Sequence, residues 1–246
     1  MFRFAPAARW LTIACLAVFL VQRLAAGVVV AYGISFGSVF QLLFGLCPPL
    51  LAKGFVWQLL TYMFLHGNLP HLLLNGLTLL LVGAALEMEI GAARFLRVFT
   101  IGGVLGGLAW ALFVLATGWL ATHGGAGLAW LHAAAARLAS QRGVNVEGVT
   151  ICVGASGAIF ALIGAYAALF PHRRMVLLLG WPVVLRARTA ALVLGLGTIV
   201  FAAVGLGNIA YLTHMAGGLA GYAYGRRLAA DGWGDDTDEQ DEAPRP

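Results

Sequence analysis

An all-α membrane protein with six transmembrane helices is the fold class this sequence predicts, and three observations predict it. Of 246 residues, 61% are hydrophobic and only 10% are charged, against about 25% charged in a soluble globule. Seven of the ten Asp and Glu crowd between Asp231 and Glu242, which leaves Glu87, Glu89 and Glu147 for the first 230 residues. Six stretches are apolar over about 20 residues, the helical length that crosses ~30 Å of hydrocarbon. A water-soluble enzyme is excluded by composition.

The six stretches run over residues 10–31, 69–88, 95–117, 151–170, 188–206 and 208–226. The first follows Arg3 and Arg9 but is too long for a signal-peptide core and lacks a clear small-residue cleavage site, so it is expected to be retained. Residues 34–57 are apolar as well, yet Pro48-Pro49, Lys53 and several glycines oppose a continuous helix. A membrane-associated loop is expected there. Residues 175–185 are too short to cross.

Charge placement orients the six spans. One side receives Arg3, Arg9, Arg94, Arg97, Arg173, Arg174, Arg186, Arg188, Arg226, Arg227 and Arg245, and the other receives Lys53, Arg137 and Arg142. That excess places both termini in the cytoplasm. The formal charge of +5 is dispersed as single or paired arginines at span ends, so nucleic acid is not an expected partner. The lipid bilayer is. Residues 1–230 are read as one membrane domain, with a longer outer connection over 118–149 whose Ala-rich piece, 127–142, favours a surface helix. Residues 231–246 read as a disordered acidic cytoplasmic tail. Trp10, Trp57, Trp110, Trp119 and Trp181 suit an interfacial belt, and Glu87 is expected to pair with Arg94 or Arg97. Cys15, Cys47 and Cys152 lack metal-ligand spacing, and no metal or other cofactor is expected.

Polar side chains inside apolar spans are costly, so each needs a partner or a task. Ser156 opens the fourth span within Gly154-Ala155-Ser156-Gly157, His214 lies in the sixth, and His71 and Asn75 share one face of the second. A serine hydroxyl attacks a carbonyl when a base removes its proton, and neutral histidine is the usual base near pH 7. No carboxylate is placed to complete a triad, because Glu87 and Glu89 fall at the opposite end of the membrane. A Ser–His dyad is therefore the expected machinery. Small residues at Gly217 and Gly221 permit the close helix contact that would bring His214 to Ser156. Asn68 and Pro70 mark a helix start that sets His71 and Asn75 near the outer end, where two side-chain donors could meet an oxyanion. His66 and Asn68 read as loop or interfacial groups.

Taken in order, these segments resemble the rhomboid family of intramembrane serine proteases. The resemblance rests on Phe44-Gly45-Leu46-Cys47-Pro48-Pro49, on Trp57 through Asn68, on His71-x-x-x-Asn75, on Glu87 and Gly91, on Gly154-Ala155-Ser156-Gly157 through Phe170-Pro171, and on His214-x-Ala216-Gly217-x-x-x-Gly221. It implies a six-helix rhomboid-like bundle, a multi-pass protein of a bacterial plasma membrane, and cleavage of transmembrane protein substrates. Ser156 is implied as nucleophile and His214 as general base and acid. His71, Asn75 and the Ser156 N–H would surround the oxyanion. Glu87 is implied as a structural hydrogen-bonding residue and Gly157 and Gly217 as helix contacts. The 34–57 segment would be the family's first loop, and movement of the fifth span with the loop near Gly205–Gly207 would admit substrate. Gln58, Phe160 and Thr213 depart from residues common in the family. A non-proteolytic client-binding relative would be expected to lack the serine or the histidine. A transporter would be expected to show internal duplication, of which the sequence has no sign.

Overall fold

The computed structural model describes residues 5–31, 34–123, 144–146, 149–178, 181–204 and 211–234. Helix α1 (Pro6–Ala26) opens on a proline, the residue that tolerates a first-turn position because it has no N–H to satisfy. The N–H groups that follow it, on Ala7 and Ala8, donate to the two carboxylate oxygens of Glu87 at 2.9 and 2.8 Å. Glu87 is 2% exposed. The expected pairing of Glu87 with Arg94 or Arg97 is therefore corrected: the unpartnered N–H groups and positive dipole end of α1 take the carboxylate instead. Arg94 lies over the ring of Trp233, 3.9 Å from its centroid.

Residues 34–57 fold as the sequence requires, in pieces. Ser35 caps α2 (Phe36–Phe44) through its side chain, and the Pro48-Pro49 pair restarts the chain as the single turn α3 (Pro48–Leu51). Another single turn, α4 (Gln58–Thr61), starts with a fully buried glutamine. Gln58 Oε1 accepts from the Cys47 N–H at 3.0 Å, and its Nε2 donates to the carbonyls of Leu42 and Leu43 at 2.9 and 3.3 Å. Leaving a buried backbone group unpaired costs about 1–3 kcal/mol. Gln58→Leu should thus lower the thermal unfolding midpoint in detergent markedly; an unchanged midpoint would show that this brace is dispensable.

The second long helix is continuous from α5 (Leu69–Thr78) through a π-helical turn (Leu79–Gly83) into α6 (Ala84–Ile90). Its cap is Asn68, whose side chain accepts from the His71 N–H at 2.8 Å. Next come α7 (Ala92–His123), α8 (Ser156–Leu169), α9 (Ala187–Val204) and α10 (Tyr211–Ala230). The fold is mostly helical but not wholly so. Among the described residues three antiparallel strand pairs join it: β1 (Val29–Ala31) with β2 (Ile34–Ser35), β3 (Val144–Val146) with β4 (Val149–Ile151), and β5 (Arg174–Leu178) with β6 (Pro182–Arg186). In the last of these Met175 and Leu177 are buried while Arg174 is exposed, the period-two burial of a strand.

Among the described residues, four helices are long and apolar enough to cross a membrane: Pro6–Ala26, Leu69–Ile90, Ala92–Trp119 and Ala187–Val204. The fourth expected span, 151–170, is shorter in the fold, since residues 151–155 are extended or turn and only the 14 residues Ser156–Leu169 are helical. Eleven of those 14 are buried. The glycine-rich α10 is less apolar than the four. Of the two, α8 is sheathed by neighbours, packing against α10 and α7, whereas α10 packs on them by its Gly217, Gly221 and Gly225 face and leaves Leu219 and Tyr222 exposed. A helix lined by protein need be neither as long nor as oily as one facing lipid. On the outside, α9 buries only Ala187, Ala190 and Thr198.

Of the expected tryptophan belt, Trp10, Trp57, Trp119 and Trp181 are 43–72% exposed, but Trp110 is 1% exposed and belongs to the core. The surface helix expected over 127–142, the loop near Gly205–Gly207 and the tail beyond residue 234 lie outside the described residues.

Candidate active site

Ser156 is the first residue of α8, and among the described residues no side chain caps that helix start. The free N–H groups and the positive end of the helix dipole therefore lie at the serine. Across the α8–α10 contact, Ser156 Oγ and His214 Nε2 are 2.7 Å apart, the distance at which a hydroxyl donates to a neutral imidazole. Both residues are half-buried.

Small residues bring the two groups together. A side chain on Gly217 would strike the carbonyl oxygen of Gly157, and one on Gly221 would strike that of Ala161, so α10 lies directly on the α8 backbone at both points. Gly157 receives Thr213 in turn: a Cβ there would stand 2.5 Å from Thr213 Cγ2. Phe160, one turn along α8 from the serine, stacks on the His214 ring with centroids 4.3 Å apart and planes 10° from parallel. The ring is thereby held flat with Nε2 towards the serine. Among the described residues no carboxylate bonds to His214, and Glu87 is engaged with α1.

The other expected pair converges from α5. A Cβ on Gly154 would lie 2.7 Å from His71 Nε2 and 3.5 Å from Asn75 Nδ2, so two nitrogens approach one point beside the backbone two residues before Ser156. Gly154 has φ +122°, a conformation that L side chains rarely adopt. Its N–H is anchored to the Tyr62 carbonyl at 2.9 Å, and the preceding chain exchanges backbone bonds between Leu46 and Cys152. Gly154→Ala should combine about 1–3 kcal/mol of backbone strain with displacement of the His71 ring. Any turnover should therefore fall, as a kcat assay of the folded variant would measure.

All eight expected site residues thus fall in two adjoining groups, with Ser156, Gly157, His214, Gly217 and Gly221 at the α8–α10 contact and His71, Asn75 and Gly154 beside it. One residue not anticipated as part of the site is His66. It is fully buried, and its Nε2 lies 3.1 Å from Asn75 Nδ2. Its spacing nine residues ahead of Asn75 carried no helical signal, because the chain turns at Gly67-Asn68 between them.

The family model that matches this chain is the Rhomboid domain, over residues 53–230. The chain is 32% identical over 115 residues to the putative rhomboid protease YdcA of Bacillus subtilis (strain 168), covering 47% of this chain and 42% of that protein. It is 27% identical over 177 residues to RHOMBOID-like protein 5 of Arabidopsis thaliana, covering 72% and 45%. Over 60 residues it is 42% identical to the rhomboid protease GluP of Bacillus subtilis (strain 168), covering 24% and 12%. The matched segments span less than half the length of each of these relatives.

Proposed function

The chain belongs to the rhomboid family, and from that premise we propose that it is an intramembrane serine endopeptidase whose Ser156–His214 dyad hydrolyses a peptide bond in or near the transmembrane segment of another protein. The observation that carries this reading is the 2.7 Å contact between Ser156 Oγ and His214 Nε2 across two packed helices. His214 takes the hydroxyl proton as Ser156 Oγ bonds to the substrate carbonyl carbon. The resulting oxyanion is met by His71, Asn75 and the Ser156 N–H. Collapse of that intermediate breaks the C–N bond, and His214 passes its proton to the departing amine. Water then enters, gives a proton to His214 and attacks the acyl-serine; release of the carboxylate product returns the proton to Ser156.

Membrane depth follows from length. Helix α8, at 14 residues, is about 21 Å long and falls short of ~30 Å of hydrocarbon. With its far end at the cytoplasmic surface, Ser156 lies below the outer surface and needs a polar indentation to receive water. A substrate helix must unwind there to expose a carbonyl, so small and helix-breaking residues are expected near the cut. Six crossings with residues 1–230 as the membrane domain, residues 231–246 as a cytoplasmic tail and both termini in the cytoplasm complete the reading. A reporter fused after Pro246 should be active only if cytoplasmic; an extracytoplasmic reporter contradicts the six-crossing arrangement.

The function is tested by reconstituting the protein in liposomes with a single-span reporter substrate. Wild type should release two fragments and Ser156→Ala none. Equal fragment yields from both would rule the reading out.

A further inference from the structure

His66 sits in the turn before α5, outside the spans, and the groups around it leave it one orientation. Its N–H donates to Gln22 Oε1 of α1 at 3.0 Å, and Gln22 Nε2 donates back to the His66 carbonyl at 3.4 Å. Gln22 is itself 1% exposed. The ring nitrogens then have two hydrogen-bonding partners, the Phe64 carbonyl oxygen, 3.2 Å from Nδ1, and Asn75 Nδ2, 3.1 Å from Nε2, while the His71 ring packs edge-on with centroids 5.1 Å apart.

The proton positions follow from these partners. A carbonyl oxygen can only accept, so Nδ1 carries the proton. Burial, aided by the nearby His71, pushes the His66 imidazole down to about 4, so it is uncharged at neutral pH and Nε2 offers a lone pair. A lone pair calls for a donor. Asn75 must therefore turn its NH2 group, not its carbonyl oxygen, towards His66. The same Nδ2 stands 3.5 Å from the point beside Gly154 that His71 Nε2 approaches to 2.7 Å. With the amide this way round, its second N–H is available on that side. Rotated by half a turn, the amide would present an oxygen there and repel an oxyanion.

We propose that His66 is a positioning residue for catalysis: clasped by Gln22 and fixed in one tautomer by the Phe64 carbonyl, it determines which end of the Asn75 amide faces the developing oxyanion. This role rests on the proteolytic reading above. It also gives α1, through Gln22, a structural connection to the chemistry.

A double-mutant cycle separates this role from mere support of the fold. The full chain in detergent is assayed on the single-span reporter as wild type, His66→Phe, His66→Gln, Asn75→Ala and His66→Phe/Asn75→Ala. In the wild-type background His66→Phe should lower kcat by roughly 10- to 100-fold, approaching the loss of an oxyanion donor, with KM changed less than about twofold. His66→Gln, whose Oε1 can accept from Asn75, should recover part of that loss. In the Asn75→Ala background His66→Phe should cost less than about twofold. Equal fold losses in the two backgrounds would overturn the proposal, since a structural defect does not depend on Asn75. Should His66→Phe not fold, the cycle is run with His66→Gln, whose unfixed amide still predicts a kcat loss that vanishes without Asn75. An inert wild type contradicts the proteolytic reading and this role together; an active wild type with additive losses contradicts this role alone.

Discussion

Ser156→Ala should reduce hydrolysis of a transmembrane reporter by on the order of 10⁴-fold or more, and His214→Ala should do nearly the same. The double variant should be no worse than either single one. The reason is the shared hydrogen bond of 2.7 Å: without the imidazole the hydroxyl keeps its proton, and without the hydroxyl the imidazole has nothing to deprotonate. Residues that act as one unit lose their joint effect once, not twice. All three variants should stay folded, because Ser156 and His214 are half-buried and the close approach of the two helices is made at Gly157, Gly217 and Gly221. Unchanged melting midpoints together with lost turnover are the expected pair of readings. A double variant whose losses multiply would mean that the two groups act separately.

Gly217→Val should do more harm to the protein as a whole. Its first side-chain atom would overlap the carbonyl oxygen of Gly157, a backbone atom next to the serine that no rotamer change can move aside. Helix α10 would have to retreat from α8, breaking the most extensive helix contact in the fold and carrying His214 out of bonding range. Overpacking of this kind costs typically about 1–3 kcal/mol and occasionally more; with rigid backbone on both sides the upper end is expected. Gly217→Val should therefore melt earlier in detergent and lose turnover even where it remains folded. Leu219→Val offers the contrast: Leu219 is 68% exposed on the same helix, so neither reading should move. If the two variants behave alike, the close approach of α8 and α10 is not what unites the dyad.

Both groups of the site could be read from the chain because their signals are local. A serine flanked by glycines at a span start, a histidine inside an apolar helix followed by Gly217 and Gly221, and two polar residues four apart each declare themselves within a few residues. What depended on distant segments could not be read that way. Glu87 looked like a partner for nearby arginines because nothing in the sequence announces that the N-terminus of α1, about 80 residues earlier, arrives with open N–H groups. His66 looked like a loop group because its burial is created by Gln22 and Asn75, one before it and one after the turn. Trp110 resembled its interfacial counterparts, yet the protein closes over it. The length of the fourth helix was overstated for a similar reason: Ile151 and Cys152 are as apolar as a span, but Cys152 is drawn into backbone pairing with Leu46, so the helix begins only at Ser156.

The central claim, that Ser156 is a nucleophile activated by His214, is tested most directly by treating the purified protein with a fluorophosphonate and locating the adduct by mass spectrometry. A single adduct on Ser156, strongly slowed in His214→Ala and absent in Ser156→Ala, is the predicted result. An adduct that forms equally well in Ser156→Ala, or that maps to another residue, would contradict it.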